Sequence, residues 1–356
     1  MFKEKYAKAV AEYEKFWERT NSDRPILNGS YRLPGATPFR EPTSPWEKWM
    51  DLDYKHAEFR HRFANSGFVA EGVPMCFTNY GPGCLAAFIG GEFEPRPDTI
   101  WFDKKQVIED FEKTPEIVFD PNSVMWKNVV AEQARYAADP DLHFSITDIG
   151  GVIDIIASLR GTENLLYDLY DYPEEFKAMI ELVRGEWKKA FDLQLETVRK
   201  ADQPYNNWMN IPSAKPWYPI QCDFSYMISP KQFEEFVLPD VVDLARYMDR
   251  SIYHLDGPGE IPHLDMLLDI PELTGIQWVA GDGNAPLTDE CWFDLYKRIQ
   301  DKKKNIVLLG GIGSHDLKGA ERLIKSIDPK GVYISFGPSS REKAEEMVEL
   351  VTKWSE

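Results

Sequence analysis

The chain has few cysteines and little positive charge, and no long apolar run. Only four of its 356 residues are cysteine: Cys76, Cys84, Cys222 and Cys291, widely spaced and with no Cys-x-x-Cys pair. A disulfide framework is therefore not expected; free thiols in a reducing cytoplasm are. No apolar run approaches the ~20 residues that span a bilayer. The opening Met1-Phe2-Lys3-Glu4-Lys5 has no apolar signal-peptide core. Lys and Arg number 41 against 59 Asp and Glu, a net charge of −18. A surface this acidic repels phosphate backbones and anionic lipid, which excludes nucleic acid and membrane as partners. There is no internal repeat and no low-complexity tract. No Gly-rich dinucleotide fingerprint follows the first strand, and Gly310-Gly311-Ile312-Gly313 is late and wrongly spaced.

What is present is alternation. Phe2, Tyr6, Ala9, Val10, Tyr13, Phe16 and Trp17 recur at helical spacing and predict an opening helix. Residues 21–50 are rich in Pro, Gly, Arg and Trp and read as an irregular segment folded over one mouth of the protein. From residue 69 onward, strands and helices alternate. Val69–Asn79, His143–Asp148, Ile220–Asp223, Ile252–Asp256, Gly275–Val279, Asn305–Leu309 and Val332–Phe336 read as strands. Pro173, with Glu174 and Glu175 behind it, opens a long helix. Capping boxes at Ser229–Gln232 and Ser339–Glu342 open two more. Seven or eight β-to-α units in one chain predict an α/β fold, a single-domain (β/α)8 TIM barrel. An open doubly wound sheet is the alternative. The division expected is an N-terminal helix and pocket-covering extension over residues 1–64, then the barrel over 65–356.

The chemistry is expected at the C-terminal ends of the strands. The most informative stretch is Ile252-Tyr-His-Leu-Asp-Gly-Pro-Gly259. Residues one apart on a strand share a face, so His254 and Asp256 converge just before the chain breaks at Gly257. An unpartnered carboxylate there is costly, so a metal, a substrate amine or a nearby cation should accompany it. Asn79, Tyr80, Asp148, Asp223, Asp282 and His315 end other units. An Asp that ends a strand often caps the next helix, and that role competes for Asp148 and Asp223. Cys222 is the cysteine expected to face the same lip, so His254, Asp256 and Cys222 form the candidate metal set: nitrogen, oxygen and sulfur all bind zinc. Cys291 is expected in the core, with Trp292 and Leu295. His263 and Asp265 repeat the spacing on a helix, where residues two apart diverge, and are expected at the surface.

Several of these segments resemble one family. Gly150-Gly-Val-Ile-Asp-Ile-Ile-Ala-Ser-Leu-Arg-Gly161, with Asp168-Leu-Tyr-Asp-Tyr-Pro-Glu174, is similar to the middle of the uroporphyrinogen decarboxylase superfamily. So are Met227-Ile-Ser-Pro-Lys-Gln-Phe-Glu-Glu-Phe236, the His254 strand and the last strand into Gly337. The resemblance covers about residues 65–356. It implies a (β/α)8 barrel and either porphyrinogen decarboxylation or zinc-dependent methyl transfer between corrinoid proteins and thiols. The decarboxylase pattern is broken: Asn79, Ala157 and Phe336 stand where that branch carries Asp, Tyr and His. The methyltransferase zinc set of His-x-Cys plus a later Cys is altered to His254-x-Asp256 and Phe336. The resemblance therefore implies the corrinoid-dependent methyltransferase branch, with zinc at His254 and Asp256 completed by Cys222. His254, Asp256, Asn79 and Asp148 would be catalytic, and Tyr80, Asp223 and Asp282 would bind substrate. The partners expected are a small-molecule substrate and a corrinoid-carrying protein, with a homodimer as the assembly. Two other classes compete: a glycoside-active barrel, to which 11 Trp and several strand-end Asp residues are suited, and a small-molecule-binding relative without catalysis.

Overall fold

The computed structural model describes residues 2–103, 105–111, 116–139, 141–313 and 315–356. Apolar runs such as Ile306-Val307-Leu308 and Val332-Tyr333-Ile334 are what strands buried on both faces require, and they form one mostly parallel sheet. Its strands are β1 (Ile26–Arg32), β2 (Ser66–Ala70), β5 (Trp217–Gln221), β6 (Arg250–Asp256), β7 (Gly275–Val279), β8 (Asn305–Leu308) and β9 (Val332–Phe336). A separate two-stranded ribbon supplies β3 (Glu94–Pro95) and β4 (Ile100–Trp101). The spatial order is β2-β1-β9-β8-β7-β6-β5, with only β1–β2 antiparallel. Helices connect the strands, as in any right-handed β-to-α series.

The fold is thus α/β, as expected. Among the described residues its ladder has seven strands and two ends, at β2 and β5. The strand expected over 69–79 divides: residues 66–70 pair with β1, and the chain after a left-handed Ala70 makes a single bridge, Cys76 to Phe144. The expected 143–148 strand has no other pairing in the described residues. It lies against β5 through the Ile149 N–H, which donates to the Tyr218 hydroxyl at 2.7 Å.

One strand was hidden in the segment read as irregular. Residues 26–32 carry Asn28-Gly29, a turn signature, yet form β1, between β9 and β2. Gly29 is opposite Phe336, and a Cβ there would come within 2.7 Å of that ring. The glycine serves close packing rather than a turn. The rest of the segment braces the ribbon: Trp49 donates to the Arg96 carbonyl at 2.7 Å, and Trp46 stacks on Phe93.

The strands alternate between two cores. Tyr218, Tyr253, Leu255, Ile306 and Ile334 point to the connecting helices. Trp217, Ile252, Val307 and Tyr333 point the other way and meet Tyr6, Tyr13, Phe16 and Trp17 of the opening helix, Phe2–Trp17. The Phe2 side chain lies outside the described residues. Trp17 packs edge-on against Trp217 at 4.8 Å, and its indole N–H donates to the Pro212 carbonyl. This helix therefore closes the N-terminal end of the strand layer. The last helix, Arg341–Ser355, is capped by Ser340, one residue later than the expected Ser339. The Ser229–Gln232 box forms as read.

Candidate functional site

On the face where Ile252 is apolar, the next two inward positions of β6 are His254 and Asp256. The same alternation on β5 runs through Gln221 and ends at Asp223, which opens a short 3-10 turn, Asp223–Met227. The strand ends thereby bring Asp223, His254 and Asp256 together, one ligand atom of each within 4.8 Å of the others. Of the three residues in the candidate metal set, His254 and Asp256 are in this group. Cys222 points away into the helical core, where burial raises its thiol far above the usual range.

Each member of the group is held from behind. His254 Nδ1 lies 2.7 Å from Gln277 Oε1, its register partner on β7. With an amide oxygen there, the Nδ1–H is the donor of that bond, and Nε2 is the ring nitrogen left for a ligand. Trp208 meets the imidazole edge-on at 5.3 Å. The Asp256 N–H donates to Glu260 Oε2 at 3.2 Å. Glu260 is fully buried, and burial first, then the charge of Asp223, pushes its carboxyl up to about 9. Asp154, in the first turn of the helix Val152–Arg160, accepts the N–H groups of both Asp223 and Phe224 at 3.1 and 2.9 Å. Burial and the neighbouring Asp223 raise the Asp154 carboxyl above its ordinary range. Burial likewise raises Asp223, while His254 draws it back down.

The Gly257-Pro258-Gly259 break has a packing reason. The Tyr226 ring lies over it, and a Cβ at Gly259 would meet ring atoms at 2.5 Å. Gly257 is itself left-handed, with φ of 90°. The turn after β5 and the turn after β6 are thus stacked on each other.

Two cavities open beside this group and share Asp223 and Met227. One, about 520 Å³, reaches under the ribbon, past Trp101 and Phe102 to Asp154 and Ala157. The other, about 380 Å³, lies over Asp256, Tyr226 and Asp282. The ribbon, not the 21–50 segment, supplies the wall.

The other expected site residues take varied places. Asp282 lines the smaller cavity and accepts the Gly283 N–H. Asp148 is buried one layer back, accepting the Tyr218 hydroxyl at 2.7 Å and the Gly150 N–H at 2.8 Å. Asn79 Oδ1 accepts the Gly81 N–H and shapes that turn. Tyr80 is fully buried; the Lys55 ammonium lies 3.6 Å from its ring centre and pairs with Glu132. His315 is exposed. Two expectations are corrected. Cys291 is exposed, because it lies in a 3-10 turn ahead of the helix and faces outward while Leu295 faces in. His263 is buried rather than at the surface: it ends a 3-10 helix, Pro258–His263, stacks on Phe233 at 4.3 Å and contacts the Ser225 carbonyl at 3.0 Å. Asp265 is exposed as expected, paired with Arg298.

Gln277, Asp154 and Glu260 went unnoticed in the sequence. Gln277 had a signal: it is the polar residue at the middle of an otherwise apolar strand, on the inward phase. Asp154 looks like an ordinary first-turn acid, and nothing local marks the strand it clamps.

No protein-family model matches the chain, and no curated protein matches it in sequence. Among solved structures it is similar to a methyltransferase from Methanosarcina mazei, at 10% identity and a TM-score of 0.60. The match covers 98% of each chain. At that identity it shows a shared fold along the whole length. No helix among the described residues is long and apolar enough to cross a membrane.

Proposed function

We propose that this protein is a metal-assisted methyltransferase of the uroporphyrinogen decarboxylase-like kind, moving a methyl group to or from a corrinoid protein or a thiol. The observation that carries the reading is the convergence of Asp223, His254 and Asp256 within 4.8 Å at the strand ends. The full-length likeness to a methyltransferase supports it. In this reading the 73–79 and 142–149 segments complete the sheet into a (β/α)8 barrel, and the corrinoid arrives on a partner protein.

The donor set fits a single zinc ion. Tetrahedral bonds of roughly 2.0–2.2 Å set ligand atoms about 3.3–3.6 Å apart, so groups now within 4.8 Å of one another would close by at most about 1.5 Å. Asp223 takes the place that sequence reasoning gave to Cys222. A bound zinc supplies Lewis acidity toward a thiol or methyl donor. The chain's own residues do the rest. Gln277 aims the Nε2 lone pair of His254, Asp154 and Glu260 hold the backbone of Asp223 and Asp256, and the ribbon shields one side from water. Two carboxylates and one imidazole form a harder set than one with thiolates, so binding should be less selective for zinc.

The alternatives fit less well. Glycosidase carboxylates stand roughly 5–9.5 Å apart; those of Asp223 and Asp256 approach more closely, with an imidazole beside them. Porphyrinogen decarboxylation finds no ionisable group at Ala157, which lines the larger cavity, or at Phe336, which packs on Gly29. The test is metal analysis of protein dialysed against zinc, followed by methyl transfer from methylcobalamin to thiols. One zinc per chain, lost in both His254→Ala and Asp223→Ala, is expected. Wild-type protein that holds no divalent metal, or that moves no methyl group with any thiol or corrinoid donor, sinks the reading.

A further inference from the structure

The walls of the paired cavities narrow the substrate's chemistry. The larger is lined by the rings of Trp101, Phe102 and Phe224 and by the carboxylates of Asp103, Asp154 and Asp223. The smaller adds Tyr226, Asp256 and Asp282. Among the described residues, no Lys or Arg lines either one. Four buried carboxylates elsewhere are each paired with a cation: Glu71 with Arg24, Glu132 with Lys55, Asp168 with Arg160, Asp240 with Arg184. Among the described residues, none of the five cavity carboxylates has a Lys or Arg partner. Two of the rings are also open to solvent. Trp101 and Tyr226 expose 52% and 54% of their surface at the mouth, in a protein that buries most of its large rings.

Aromatic rings and carboxylates without a cationic partner, lining one cavity, are the chemistry that recognises an organic cation. Ring faces attract an ammonium group, and a cleft of one sign concentrates ions of the other. A divalent ion at the triad would offset Asp223 and Asp256 and leave Asp103, Asp154 and Asp282. The volume, about 520 Å³, is that of a small-molecule site. We propose that the larger cavity binds a small organic ammonium ion, its charge toward Asp103 and its alkyl groups against Trp101, Phe102 and Phe224. The inference rests on the site proposed above; joined to methyl transfer, it names an N-methylated ammonium compound as the substrate class. The same field disfavours thiols bearing a sulfonate or carboxylate.

The test uses the full chain, once with chelator and once with zinc, so that it reads the cavity separately from the metal. Calorimetry compares tetramethylammonium and choline with 3,3-dimethylbutan-1-ol, the uncharged isostere of choline, and with 2-mercaptoethanesulfonate. The cations should bind roughly tenfold more tightly than the isostere, and the sulfonate should not bind. Asp103→Asn and Trp101→Ala should each weaken choline several-fold, whereas Cys291→Ser should not. Equal binding of choline and its isostere, preferred binding of the sulfonate, or no binding of either cation at millimolar concentration overturns the proposal. His254→Ala separates the two ideas: it should abolish zinc binding and leave choline binding in place.

Discussion

The two ends of the parallel strands are built from opposite materials. At the N-terminal end, Trp217, Ile252, Val307 and Tyr333 meet the aromatic face of the opening helix, and the charges beside them are paired, as Arg250 is with Glu14 and Glu18 and Arg24 with Glu71. Two to six residues further along the same inward faces of β5 and β6 stand Asp223, His254 and Asp256, with Gln277 of β7 beside them and open cavities next to the group. The strands are continuous, yet one end carries packing and paired charge, while the carboxylates of the other have no Lys or Arg partner among the described residues. The difference teaches that cohesion and chemistry are separated along the strand axis, so each can be altered with little effect on the other.

The largest expected effect lies at the dry end. Trp17→Ala removes a buried indole and its hydrogen bond to Pro212. It should cost ~3–5 kcal/mol in equilibrium urea unfolding. His254→Ala, a half-buried residue at the open end, should cost no more than about 1 kcal/mol in the same experiment. Comparable losses from both would break the division between the ends.

A second substitution probes how the open end keeps its shape. Gly259→Ala pushes a methyl group into the Tyr226 ring. Because that ring is half exposed and free to swing, the cost should fall at the low end of the ~1–3 kcal/mol typical of overpacking. Tyr226→Ala in the same chain should remove it. A Gly259→Ala penalty that persists without the ring would mean the glycine is required for its backbone alone.

The contrast between the ends also explains what could be read from sequence. β7 and β9 were legible to the residue, and β6 nearly so, because parallel strands buried on both faces are unbroken apolar runs. The pairing of His254 with Asp256 followed from period two. β1 escaped because Asn28-Gly29 imitates a turn, while its real cause, the Phe336 ring, is some 300 residues away. Asp223 was noticed as a strand-end acid but not as a partner of His254, since the neighbour of a strand is set by sheet order and not by the local pattern. Cys222 was favoured on ligand chemistry. The strand phase that gives Asp223 to the cavity turns its neighbour to the core.

The pH dependence should come from the open end. Glu260 has its carboxyl pushed up to about 9 in the folded protein, against an ordinary 4.5. Above about pH 4.5 the unfolded chain releases this proton while the folded chain keeps it, so stability contributed by the protonated form is lost as pH rises through that window. Metal-free wild type should therefore lose stability between roughly pH 5 and pH 9. Glu260→Gln, which stays neutral, should lose less. Parallel curves for the two proteins in urea unfolding across that range would show that Glu260 does not titrate as its burial requires.

The smallest effect on stability, and the sharpest on the site, belongs to Gln277. Its amide oxygen holds the proton on His254 Nδ1 and leaves Nε2 free to face Asp223 and Asp256. Gln277→Leu keeps the size and removes the acceptor. The imidazole can then rotate and change tautomer, so the ligand nitrogen is no longer pre-aimed. Zinc affinity should fall roughly tenfold or more, as when other ligand-orienting partners are removed. Gln277→Glu, which keeps an acceptor and adds charge that makes the imidazole more basic, should restore affinity or exceed it. Competition with a chromogenic chelator reads both, and urea unfolding checks that neither variant departs from wild type by more than about 1 kcal/mol. Unchanged zinc affinity in Gln277→Leu would mean that His254 is oriented by Trp208 and its own strand, and that the contact with β7 serves packing alone.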